Sequence, residues 1–232
     1  MTDHAGIREQ IDAATHRLMA TARQLTEDDV RRPSLLPGWT VGHVLTHIAR
    51  NADSLVNLAT WAHTGVETPQ YASQESRDAD IEAGAGRPVT ELVEDVADSA
   101  ERLRGALARI TPEQYEVELV WRGGVRKPAG MIPPARLGEV EVHHADLGLG
   151  YGFGDIPEPL RLLLLADAVA GWDDEDGVVV HADDLDLTLP EDRAPKVLVS
   201  GSSGDLLGWA GGRTSGDRLR CDGPLPAVPE WR

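Results

Sequence analysis

The 232-residue chain has one cysteine, Cys221, so it can form no intrachain disulfide, and a zinc cage built on several thiolates is excluded. Any metal must sit on histidine and carboxylate, and eight histidines are present to serve. The chain also lacks a run of about 18 apolar residues, and its opening stretch, MTDHAGIREQIDAATHRLMA, carries charges throughout with no apolar h-region. A soluble, cytoplasmic protein is expected. Positive charge is scarce as well: 22 Lys and Arg stand against 39 Asp and Glu, for a formal charge of -17. Such a balance repels phosphate backbones and anionic lipid surfaces, so neither nucleic acid nor a membrane is expected as a partner. No internal repeat and no low-complexity tract is present.

The length suits one large domain or two small ones. Ile7, Ile11, Ala14, Leu18, Ala22 and Leu25 recur at helical spacing and predict a first amphipathic helix. Beyond the loop RRPSLLPG, Thr40 is placed to cap a second helix running to Gly65, with Val41, Val44, Ile48, Leu55 and Ala59 inward. A short polar helix is expected over residues 74–83, and a third long helix carries Leu92, Val96, Leu103, Leu107 and Ile110. Residues 116–127 read as a small hairpin around Gly123-Gly124, and Pro133-Pro134 opens a fourth long helix. The expected fold is therefore α+β: a four-helix bundle over residues 1–150 and a small α/β domain over 151–232. In the second part the pattern predicts helices over 160–171 and 204–211, and strands over 178–181, 185–189, 196–200 and 219–221.

Two pairs of potential metal ligands have helical i,i+4 spacing: His43 with His47, and Glu139 with His143. Residues four apart share a helix face, so Glu139 and His143 can hold one divalent ion while a histidine of another helix completes the site. Three protein ligands leave a position open, as catalytic sites do. With Leu137 as origin, Asp146, Glu139 and His143 fall at about 180°, 200° and 240°, beside the apolar positions Leu147 and Val140. His144 falls at about 340°, among apolar neighbours, and reads equally as a hydrogen-bonded core histidine. On the second helix His47 lies further inward than His43, which is left to the rim or to support a ligand. Asp146 can orient a ligand histidine through its free ring N–H. The competing reading of each pair is a solvated surface contact. Cys221 reads as a small buried hydrophobe in a strand, and Trp39 as packing that can also wall a pocket.

The stretches LLPGWTVGHVLTHIARNADSL, TGVETPQYASQESRDADI, GEVEVHHADLG followed by FGDIPE, and VSGSSGDLLGWAGGR together resemble the mycothiol-dependent maleylpyruvate isomerase family of DinB-like metalloproteins. The resemblance implies a helical bundle with zinc on His47, Glu139 and His143, followed by a smaller α/β domain. It also implies two substrate-binding arginines, Arg77 in the loop after the second helix and Arg213 at the end of the last helix. The implied reaction is cis–trans isomerisation of maleylpyruvate, an anionic dicarboxylate, with mycothiol as thiol cosubstrate, in gentisate degradation. A guanidinium offers a planar fork to each carboxylate, which suits such an anion. Three alternatives stay open: a zinc-dependent mycothiol S-transferase acting on another electrophile, a hydrolase using metal-bound water, and a non-catalytic metal- or ligand-binding module.

Overall fold

The computed structural model describes residues 3–172, 177–191 and 195–228. Two compact units divide the chain, Met1–Leu147 and Gly148–Arg232, three residues before the boundary expected from composition.

In the first unit, α1 (His4–Ala22) begins where the Asp3 carboxylate accepts the N–H of Gly6, and it buries Ile11, Ala14, Leu18, Met19 and Ala22. It stops three residues short of Leu25, because Thr26 starts a separate helix, α2 (Glu27–Arg31), through a reciprocal capping box with Asp29. Sequence periodicity passed over this five-residue helix, although its Thr-x-x-Asp start is visible in the sequence. The long α3 (Val41–Thr64) is capped by Thr40 and closed by Gly65, whose φ of 73° is one that a β-carbon disfavours. Next come α4 (Gln74–Ala85) and α5 (Val89–Leu107). The short strands β1 (Glu118–Val120) and β2 (Arg126–Pro128) pair antiparallel across the Gly123-Gly124 turn, where both glycines have positive φ. The unit ends with α6 (Ile132–Asp146), which carries proline in its first turn.

A bundle closes because α3 packs on α5 and α6 while α1 packs on α6 and α5. Its core is aliphatic, with Leu18, Leu45, Ile48, Leu55, Leu58, Leu92 and Leu103 almost wholly buried. Polar ties fix the register of the helices. Arg17 of α1 pairs with the buried Glu141 of α6, and Thr21 Oγ1 lies 2.8 Å from Nε2 of His144. His144 is thus a core histidine facing α1. The loop before α3 is anchored by the N–H of Leu35, which donates to the carbonyl of Asp146 at 2.9 Å.

The second unit contains α7 (Glu158–Ala170), β3 (Val178–Ala182), β4 (Leu187–Leu189), β5 (Val197–Gly201), α8 (Ser203–Ala210) and β6 (Arg220–Cys221). Its sheet has the order β4-β3-β5-β6, with β3 and β5 parallel and both edges antiparallel. The strand expected from Leu185 starts two residues later, since Asp186 takes a positive φ of 48° in the turn between β3 and β4. Helix α8 packs on β3 and β5, with Val179, Val180, Val199, Leu206 and Leu207 buried, and Trp172 stands edge-on to Trp209 at 5.4 Å. Cys221 corrects an expectation: it lies half-exposed on the edge strand rather than buried.

Candidate metal centre

The site is assembled by α3, α4 and α6. His47 is on the second turn of α3, and Glu139 and His143 lie one turn apart on α6. His47 Nε2 lies 3.1 Å from Glu139 Oε2 and 3.0 Å from His143 Nε2, and His143 Nε2 is 3.3 Å from the same Glu139 oxygen. One nitrogen or oxygen from each residue falls within 4.8 Å of the others, a convergence suited to one divalent ion. The histidine side chains are 7% and 12% exposed, but Glu139 keeps 34%, so the cluster is closed behind the histidines and accessible beside the glutamate.

Each histidine has a partner for its other nitrogen. His143 Nδ1 donates to Oδ2 of the fully buried Asp146 at 2.8 Å, which fixes that proton and turns Nε2 to the cluster. At His47, Nδ1 accepts from Nη2 of Arg77 at 3.3 Å. That contact and a metal on Nε2 are mutually exclusive, because a neutral imidazole with Nε2 coordinated carries its proton on Nδ1 and has nothing left to accept with. Filling the cluster therefore releases one arm of Arg77.

Electrostatics separates the two rings. Burial pushes the pKa of His47 down to about 4, assisted by the charge on His143. Burial acts in the same direction on His143, but the hydrogen bonds of Asp146 and Glu139 and their charges outweigh it and raise its pKa to about 9. Burial alone would raise the pKa of Glu139; hydrogen bonds from His143 and His47 hold it well below the usual carboxylate range. The metal-free cluster thus carries an ionised Glu139, a neutral His47 and a protonated His143 at neutral pH.

Arg77 is 12% exposed, with Nη1 on Asp78 at 2.7 Å and its guanidinium 5.9 Å from the centre of the Tyr71 ring. It sits inside α4 rather than in a loop. Helix α4 can come this close because of two glycines. A β-carbon on Gly42 would lie 2.3 Å from the carbonyl oxygen of Ala85, and one on Gly84 would lie 2.5 Å from the Thr46 methyl. Trp39 stands edge-on to His47 at 5.5 Å and stacked near His43 at 6.1 Å, forming a wall. His43 stays at the rim: Nδ1 serves the Thr40 cap and Nε2 lies 3.2 Å from Glu82. Tyr71 and Glu82 escaped sequence reasoning, since neither has a helical spacing to a ligand. Arg213 is carried by the C-terminal unit just past α8, where its N–H donates to Gly208 O and Nη1 donates to Gly211 O.

Fold and site together define a helical-bundle protein with an inward His/Glu/His cluster open on one side. Residues 11–148 match the family model described as mycothiol maleylpyruvate isomerase N-terminal domain, and the chain belongs to this family. A crystal structure of the mycothiol-dependent maleylpyruvate isomerase is similar over 98% of this chain and 96% of its own, at 30% identity and a TM-score of 0.90. A histidine-to-alanine variant of that isomerase aligns over the same shares at 30% identity and a TM-score of 0.89. No curated sequence matches the chain.

Proposed function

We propose that this chain is a mycothiol-dependent maleylpyruvate isomerase in which His47, Glu139 and His143 hold one zinc ion and Arg77 and Arg213 bind the substrate's carboxylates. The observation that carries the reading is the convergence of the three ligand atoms beside a nearly buried guanidinium, in a member of this family. The donor set fits a divalent ion: two imidazole nitrogens and a carboxylate oxygen, one ring locked in the coordinating tautomer by Asp146. Such an ion, when bound, keeps a thiol deprotonated at neutral pH.

Isomerisation requires loss of the C=C rotation barrier. The mycothiol thiolate adds to one alkene carbon, and the displaced π pair moves into the conjugated carbonyl as an enolate. Rotation follows about the resulting single bond. Return of the pair breaks the C–S bond, expels the thiolate and leaves the trans alkene, so no thiol is consumed. The chain's own residues bind and orient. Arg77, freed from His47, turns its fork to a substrate carboxylate. Trp39, edge-on to the His47 ring, walls the site beside it. Arg213, at the end of the last helix of the C-terminal unit, is the second guanidinium.

The test is conversion of maleylpyruvate to fumarylpyruvate by the purified protein, with and without mycothiol. Turnover that needs mycothiol and is lost in His47→Ala is expected. Arg77→Ala should lower kcat/KM roughly 10- to 100-fold, the worth of one charge-assisted hydrogen bond, with metal content unchanged. Turnover at the same rate without thiol overturns the reading.

A further inference from the structure

On the bundle face between α1 and α5 lies a cavity of about 460 Å³, lined by none of the three clustered ligands. This volume is within the range of small-molecule sites. Its floor is apolar, from Ile11 and Met19 of α1 and Leu103 and Leu107 of α5, except for Arg136 of α6. Arg136 is only 1% exposed. Its Nη1 donates to the carbonyl of Ile48 at 2.9 Å and to Asn51 Oδ1 at 2.8 Å, but its Nη2 is buried with no hydrogen-bond partner. Among the described residues no carboxylate lies within ion-pair distance of it. The charges of Glu139 and Asp53 act on it through space without touching it, so part of its desolvation cost remains, and an unmade hydrogen bond adds to that. Burial shows its effect by lowering the guanidinium's pKa to about 10.

The surroundings are cationic on an anionic protein. The chain's formal charge is -17, yet the cavity is lined by Arg8, Arg23, Arg104 and Arg136 against Asp12 and Glu101, and after Arg104 pairs with Glu101 three arginines face one aspartate. We propose that this cavity is a second binding site, for a small amphipathic carboxylate whose head takes the open Nη2 of Arg136 and whose chain lies on Ile11, Met19, Leu103 and Leu107. A carboxylate supplies the acceptor that Nη2 lacks and brings a negative charge into direct contact with the guanidinium, while an apolar tail displaces water from the aliphatic floor.

The test titrates octanoate and 1-octanol calorimetrically into the metal-loaded protein. Saturable uptake of one octanoate, at least about 10-fold tighter than octanol, is the expected result, since a charge-assisted hydrogen bond separates the two. Ala97→Phe, which fills the cavity from its α5 wall without touching a charge, abolishes octanoate uptake, whereas His47→Ala leaves it intact. Arg136→Met, provided it folds, brings octanoate down to the affinity of octanol. The proposal is overturned by absence of saturable octanoate uptake, by equal affinity for octanol, by uptake that survives Ala97→Phe, or by uptake lost in His47→Ala, which would place octanoate at the metal cluster.

Discussion

His143 donates through Nδ1 to the buried Asp146 and has its pKa raised to about 9, so at neutral pH an incoming cation must displace the proton on Nε2. The two histidines give the metal-free protein opposite pH dependences. His143 binds its proton more tightly folded than at its ordinary 6.5, so its stabilisation is complete below pH 6.5 and disappears as pH rises to about 9. His47 is depressed from 6.5 to about 4, so the folded state resists its protonation, and stability falls as pH drops from 6.5 toward 4. Urea melts of the metal-free protein should therefore show maximal stability near pH 6.5, with a loss of up to about 3 kcal/mol on the alkaline side that is absent in His143→Gln. A flat or rising limb between pH 6.5 and 9 contradicts the assigned hydrogen bonding.

Helices α3 and α4 approach each other through Gly42 and Gly84, and this contact puts Arg77 beside His47. Helix propensity alone says that Gly42→Ala stabilises α3 by about 1 kcal/mol. Overlap wins, because the new methyl would meet a backbone carbonyl at 2.3 Å that has no rotamer to escape into. Gly42→Ala is thus expected to lose about 1–3 kcal/mol in urea unfolding, and an increase in stability would show that the contact is not tight. Glycines of this kind are illegible in a sequence, since their role depends on a neighbour far along the chain, Ala85 for Gly42 and Thr46 for Gly84. The same holds for Arg136, an arginine in an aliphatic stripe whose partners on α3 no local pattern reveals. Local signals were legible where they act locally: Thr40 as a cap, Gly65 as a stop, and the i,i+4 pair of α6. The capping box of Thr26 and Asp29 was equally local and was hidden by the periodicity of α1 running up to it.

Across the molecule, the α+β order of elements follows from a composition shift after about residue 150, where a turn-rich stretch leads into helices interspersed with short strands, and the units divide at Leu147. Spacing and helical angles favoured His47 over His43 and put Glu139 and His143 in one sector with Asp146, the family resemblance implied the set His47, Glu139 and His143, and the folded bundle brings these three together. What periodicity could not reveal was electrostatic: which ring is protonated, and what Arg77 touches before a ligand arrives. Among the described residues no helix is long and apolar enough to cross a membrane. The most direct measurement adds zinc stepwise to metal-free protein and follows maleylpyruvate isomerisation in the presence of mycothiol. Activity should rise linearly and break at one equivalent, with no break and no activity in His47→Ala. Full turnover by the metal-free protein, or undiminished turnover by that variant, would contradict the assignment of the His47, Glu139 and His143 cluster as the metal centre of the reaction.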